Sequence, residues 1–276
     1  MIYSDFHMHS CFSSDSDSKM EDMVKGAIDK GLKTICFTDH YDFMYPALGE
    51  PKWDFIFSIP DYFNSVQALK ERYQKQIEIR CGVELGLRNE PDLRQEVKSF
   101  YDKLTTAYPF DFIIGSTHVL ESTDPYYDRY WEGKTKEQGL NDYFRAIKEN
   151  AEFYSCFDVY GHLDYIIRYV RDTEKDYKIS DYQDILDEAL KKLITSGKGI
   201  EINTSGFKYG LGRPHPKPEI LKRYKELGGT ILSIGSDAHK PEHLACDFKK
   251  AKNLLNELGF SYYTIFRDRK PIQMKL

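Results

Sequence analysis

Nine residues of types that bind divalent cations stand at the ends of short apolar runs or in the loops beside them: His7, His9, Asp15, His40, Glu84, His118, His162, Asp237 and His239. Six of the eight histidines are in the set. In an extended strand alternate side chains share a face, so His7 and His9 in Asp5-Phe6-His7-Met8-His9 can offer two imidazoles to one ion. A lone His-x-His is weak evidence, because paired histidines often reflect an exposed loop. Here the others occupy equivalent points of different runs, in Asp39-His40, Gly82-Val83-Glu84, Thr117-His118, Gly161-His162 and Asp237-Ala238-His239. A hydrogen-bonded histidine or a solvated acid explains any one of them but not the set.

Mixed imidazole and carboxylate donors suit zinc, manganese or iron better than magnesium or calcium, which favour oxygen shells. Three carboxylates only partly offset the charge of three divalent ions, and a phosphate dianion is the natural guest of the cationic pocket that remains. Two histidines serve as a control: His215, in Arg213-Pro214-His215-Pro216, reads as a turn residue and His243 as an early-helix surface residue.

The elements that must position these donors alternate along the chain. Strand-like runs occur at 2–7, 34–38, 77–84, 111–116, 157–161, 199–203, 230–235 and 261–266. Helical patterns lie between them, over 60–76, 91–108, 136–154, 181–196, 218–227 and 241–258. An earlier helix running to Lys30 is expected to open on a Ser-x-x-Glu capping box, Ser18-Lys19-Met20-Glu21. Strand followed by helix, about seven times over, predicts parallel strands joined by right-handed crossovers, an α/β barrel in preference to an open doubly wound sheet. Parallel strands bring their ends to one mouth, and the irregular stretches 41–59, 121–135 and 168–179 are expected to cover it. The Tyr-rich segment Pro125-Tyr126-Tyr127-Asp128-Arg129-Tyr130-Trp131 reads as a packed surface loop, with a lid as the other reading.

At 276 residues the chain suits one barrel domain spanning 1–276. Its 41% hydrophobic and 30% charged residues describe a sizeable core under a well-solvated surface. No apolar stretch is long enough for a membrane span, and the N-terminus lacks the basic-then-apolar pattern of a signal peptide, so a cytoplasmic location is expected. A formal charge of -5 argues against an extended nucleic-acid face. The five cysteines are scattered and read as free thiols, Cys36 and Cys81 as core residues.

Taken in order, these motifs resemble the polymerase-and-histidinol-phosphatase family of metallohydrolases over essentially the whole chain. The matching segments are Asp5-Phe6-His7-Met8-His9, Phe37-Thr38-Asp39-His40, Gly82-Val83-Glu84, Gly115-Ser116-Thr117-His118, Gly161-His162-Leu163-Asp164 and Gly235-Ser236-Asp237-Ala238-His239. The segments 161–169 and Glu201-Ile202-Asn203-Thr204-Ser205-Gly206 look most like the branch of stand-alone histidinol-phosphate phosphatases in histidine biosynthesis. The resemblance implies a distorted (β/α)7 barrel, TIM-like, with its metal site at the C-terminal strand ends. It also implies three divalent ions (zinc, manganese or iron): one held by His7, His9, Glu84 and Asp237, a second by Glu84, His118 and His162, a third by Asp15, His40 and His239. Many relatives carry histidine where this chain has Asp15, and Asp17 is an alternative acid nearby.

Arg168, Lys208 and Arg213 follow strand-end motifs and are the candidate phosphate contacts. Asp237 or His239 is expected to relay a proton to the leaving oxygen, and Glu84 to bridge two ions beside an activated water. Asp5, Asp39 and Asp164 are expected to orient neighbouring imidazoles, and Asp42, Glu121 or Asp124 to meet the substrate amine. The expected partner is thus a small phosphate ester, L-histidinol phosphate, handled by a monomer or homodimer. Rival readings are a family phosphatase for phosphotyrosine, a nuclease acting on phosphodiesters, and a non-catalytic metal-binding module.

Overall fold

The computed structural model describes residues 1–47, 53–171 and 175–276. Parts of the irregular stretches 41–59 and 168–179 therefore lie outside the described residues. Strand and helix alternate as the periodicity predicts. The strands are β1 (Ser4–Asp5), β2 (Thr34–Phe37), β3 (His40–Tyr41), β4 (Glu78–Gly86), β5 (Phe112–Ser116), β6 (Val159–Tyr160), β7 (Gly199–Asn203) and β8 (Leu232–Gly235). The sheet runs β1-β2-β4-β5-β6-β7-β8, every pair parallel. β3 resumes the line of β2 after a break at Thr38-Asp39 and sets His40 opposite Glu84 on β4.

The sheet closes on itself beyond β8. Phe6 N donates to the Ile234 carbonyl at 3.1 Å, Asp237 N to His7 at 2.8 Å and His9 N to Ala238 at 2.8 Å. Seven strands thus form a nearly closed barrel. The helices between them are α1 (Met20–Asp29), α2 (Ile59–Tyr73), α3 (Arg94–Ala107), α4 (Lys136–Phe153), α5 (Gln183–Thr195), the single turn α6 (Ser205–Lys208), α7 (Pro218–Glu226) and, after the last barrel strand, α8 (Phe248–Glu257). Strands buried on both faces read as continuous apolar runs, and Phe112, Ile113 and Ile114 are fully buried.

Three local expectations are corrected. The run at 261–266 becomes β9 (Tyr262–Arg267), which pairs antiparallel with the unanticipated β10 (Lys270–Lys275). Asp268 and Arg269 both have positive φ, the hairpin turn matching strand twist. Phe266 stacks on Phe112 at 4.8 Å, and Arg269 meets Asp158 at 2.5 Å just ahead of β6, so the hairpin covers the N-terminal end of the barrel. The Ser18 capping box does not form: α1 has Lys19 at its N-cap with no side-chain cap, and the Ser18 hydroxyl donates instead to the His239 carbonyl at 2.8 Å. The helix expected over 241–258 is a 3-10 turn at Pro241–His243 and then α8, separated by left-handed Ala245 and Asp247. The Ala245 N–H is taken by buried Asp5 at 2.9 Å rather than by a helical carbonyl.

Gly235, at the end of β8, is required by close approach. A Cβ there would lie 2.2 Å from the Cβ of His7 and 2.6 Å from Glu201 Oε1.

Candidate metal centre

All nine sequence-derived donors converge at the C-terminal end of the barrel. Glu84 projects from β4 into its middle and is fully buried. Its Oε2 lies 3.0 Å from His7 Nε2 and 3.0 Å from His40 Nδ1; its Oε1 lies 2.9 Å from His162 Nε2 and 3.3 Å from His118 Nε2. His9 Nε2 stands 3.3 Å from Asp237 Oδ1. On the outer side Asp15 Oδ2 is 3.0 Å from His239 Nε2 and 3.7 Å from His40 Nε2, while Asp17 is exposed. His9 stacks between His40 and His239, with ring centroids 4.2 Å apart on each side.

The donor set fits divalent cations. Donor atoms of His7, His9 and Asp237 lie within 4.8 Å of one another, as do those of His9, His40 and His239, of His7, Glu84 and His162, and of His40, Glu84 and His118. Among the described residues, the ion pairs of Glu84 are all with imidazoles, and His9 Nε2 is buried without a hydrogen-bond partner. Burial opposes charge on His118, yet Asp42 and Glu84 hold its pKa well above the usual value, and by the same balance Glu84 and Asp15 raise His40 to about 9. Positive charge is wanted at this point of the barrel, and a divalent cation is the compact way to supply it.

Hydrogen bonds behind the donors fix their orientation. Glu201, inward-facing on β7, has Oε1 2.6 Å from His7 Nδ1 and accepts the His162 backbone N–H through Oε2 at 3.0 Å. Sequence reasoning missed it. The available signal was an acid in the middle of Gly-Ile-Glu-Ile-Asn, where a buried charge requires a partner. Asp42, expected at the substrate amine, lines the cavity over the donors and places Oδ2 2.7 Å from His118 Nδ1, while its Oδ1 has no hydrogen-bond partner among the described residues. The carboxylate fits there because residue 86 is glycine: a Cβ would lie 2.3 Å from the Asp42 carboxyl carbon.

The three acids beside ligand histidines act differently from expectation. Asp5 accepts from the Ser236 hydroxyl and backbone N–H and from the Ala245 N–H, tying β1 to the end of β8. Asp39 accepts from Ser10 and Ser13. Asp164 orients not His162 but His215, whose Nδ1 lies 2.5 Å from it. His215, expected as a turn residue, is fully buried, and its backbone pairs with Asn203 in both directions.

A cavity of about 400 Å³ opens onto the donors. Its cationic wall carries Arg168, Lys208 and Lys240, and His243 lines it too, contrary to its expected place on the surface. The Arg168 guanidinium lies 3.5 Å from the Tyr209 ring centre and within 5.4 Å of those of Tyr165 and Tyr169. Lys208 stands 4.7 Å from the ring of Tyr209. Arg213 is turned elsewhere, bonded to Asp164 at 2.7 Å, and is not among the lining residues. The lining is also acidic and aromatic: Asp124, which accepts from Tyr45 at 2.9 Å and Tyr165 at 3.3 Å, is joined by Trp53, Phe55 and Tyr126. Glu121 is exposed and paired with Lys134. In the Tyr-rich segment, Tyr126 reaches the cavity while Tyr130 and Trp131 pack inward.

The sequence pattern of the PHP domain family matches residues 5–205. The histidinol-phosphatase of Lactococcus lactis is 33% identical over 274 residues, covering 96% of this chain and 95% of the relative. A crystal structure of histidinol phosphate phosphatase from Lactococcus lactis, complexed with zinc, L-histidinol and phosphate, superimposes with a TM-score of 0.86 at 32% identity over 98% of both chains. A structure from Listeria monocytogenes, 18% identical with a TM-score of 0.75 over 90% of this chain and 99% of its own, shares the fold.

Proposed function

Because this chain belongs to the PHP domain family, we propose that it is a metal-dependent histidinol-phosphatase, hydrolysing L-histidinol phosphate to L-histidinol and phosphate in histidine biosynthesis. One observation carries the reading: six imidazoles and three carboxylates converge at the floor of a cavity whose wall holds the stacked guanidinium of Arg168. The relative crystallised with zinc, L-histidinol and phosphate agrees with it.

His7, His9, Asp15, His40, Glu84, His118, His162, Asp237 and His239 would hold up to three divalent ions, zinc being the first candidate. Such ions supply Lewis acidity, activating water as the nucleophile and neutralising charge on the phosphoryl oxygens. Glu84 presents its two oxygens to different imidazoles and belongs to two of the donor groups, so it would be a ligand shared between ions. Arg168 and Lys208 draw in the phosphate and stabilise charge in the transition state. Stacking on tyrosines holds the Arg168 fork, and among the described residues it has no carboxylate partner that phosphate would have to displace. Asp237 lies at the cavity wall beside His239, whose Nδ1 is 3.7 Å from Asp237 Oδ1. Burial works against its charge, but His7 foremost, with His239, outweighs it and holds the carboxyl well below the usual range. Asp237 is thus ionised at rest, and with His239 would take up the proton released by the attacking water and pass it to the leaving oxygen.

Residues 1–276 are read as one catalytic domain, a monomer or homodimer in the cytoplasm. Among the described residues no helix is long and apolar enough to cross a membrane, and the net charge of -5 does not suit a nucleic-acid substrate. The test is phosphate release from L-histidinol phosphate by zinc- or manganese-loaded protein, beside an aryl phosphate, a phosphotyrosine peptide and a single-stranded oligonucleotide. Selective, chelator-sensitive turnover of the first is expected. Turnover confined to another substrate would overturn the pathway assignment, and none at all would leave a metal-binding module.

A further inference from the structure

Ser13, fully buried in the loop after β1, touches two of the proposed ligands without being one itself. Its Oγ lies 2.9 Å from Asp39 Oδ1, 3.0 Å from the His40 backbone nitrogen and 3.1 Å from His9 Nδ1. A serine hydroxyl has one proton to give and two lone pairs to receive. The His40 N–H can only donate, and occupies one lone pair. Asp39 Oδ1 already accepts the Ser10 backbone N–H at 2.6 Å and is therefore an acceptor. The Ser13 proton must lie on the line to it, since otherwise two oxygens would face each other at 2.9 Å with no hydrogen between them. One lone pair remains for His9, so Nδ1 of His9 must carry the hydrogen.

That assignment leaves His9 Nε2 with its lone pair bare, and Nε2 is the buried ring nitrogen with no hydrogen-bond partner, grouped with nitrogens of His40 and His239 and close to Asp237. We propose that Ser13, oriented by Asp39, is a positioning residue that fixes His9 as the Nδ1–H tautomer and anchors His40 through its backbone, so that two imidazoles of one metal-binding group are set by a single hydroxyl. The inference rests on the metal-centre reading but not on the identity of the substrate. It gives Asp39 a task through Ser13 rather than by direct contact with an imidazole.

The test uses the full zinc-loaded chain with 15N-labelled histidine, the His9 signals being identified by their loss in His9→Gln. Wild-type protein should show a proton on His9 Nδ1 that exchanges slowly with solvent. Ser13→Ala should lose that protection and bind zinc about 10–100-fold more weakly in competition with a chelator, while Ser13→Thr, which keeps the hydroxyl, should retain both. A wild-type His9 without a proton on Nδ1 overturns the proposal, as does a Ser13→Ala protein with unchanged protection and zinc affinity. The wild-type spectrum decides the tautomer even if Ser13→Ala does not fold. Neither readout involves phosphate release, so a wrong substrate would leave the result standing.

Discussion

His7 and Glu201 lie 194 residues apart in sequence, and 2.6 Å separates the imidazole Nδ1 from the carboxylate Oε1 at the barrel floor. The contact turns His7 Nε2 toward Glu84 Oε2, 3.0 Å away. The second Glu201 oxygen accepts the His162 backbone N–H, so one side chain orients a donor and the strand end that presents another.

Glu201→Gln keeps an acceptor for one of these donors but turns an amide N–H₂ toward the other. A loss of about 10–100-fold in metal affinity is expected, as is usual when a partner behind a ligand histidine is removed. Chelator competition measures it, and excess metal should restore much of the activity.

Metal should also stabilise the fold, because most of its donors are buried and they converge only in the native state. Free zinc or manganese at 100 times its dissociation constant contributes about 2.7 kcal/mol per site, which corresponds to a rise in Tm of roughly 5–10 °C for a chain of this size. Calorimetry of chelated and reloaded protein checks this. An identical Tm in the two states would contradict a buried metal centre.

Arg168 separates charge from geometry. Arg168→Ala should lower kcat/KM by about 10²–10³-fold and weaken inhibition by inorganic phosphate. Arg168→Lys retains the charge but not the planar fork stacked 3.5 Å from Tyr209, and should recover only part of the loss. Steady-state kinetics with phosphate as a competing product reads both effects.

Asp164 accepts from Tyr177 at 2.7 Å, Arg213 at 2.7 Å and the Lys217 backbone N–H at 3.0 Å, and lies 2.5 Å from His215 Nδ1. Asp164→Asn leaves the largely buried Arg213 guanidinium without its counter-charge. A destabilisation of about 3–5 kcal/mol is expected in urea unfolding. The double variant with Arg213→Met should be more stable than Asp164→Asn alone, since it removes the unpaired charge.

The chain's own residue order determined the barrel and the nine donors. Periodicity and strand ends are local properties: a run such as Phe112-Ile113-Ile114 is apolar because both its faces are covered, and parallel strands necessarily bring their C-terminal ends together. Only the tertiary structure decided what holds those donors in place. Glu201 behind His7, Asp42 behind His118 and the Ser18 hydroxyl on the His239 carbonyl are contacts that sequence spacing does not encode. Ser18 left its expected capping role, and Asp164 chose His215 over the adjacent His162, because a buried polar group takes whichever partner the closed barrel brings within reach. The β9–β10 hairpin was hidden for the same reason: its place under the barrel depends on Phe266 meeting Phe112 and Arg269 meeting Asp158, long-range pairings that local pattern does not contain.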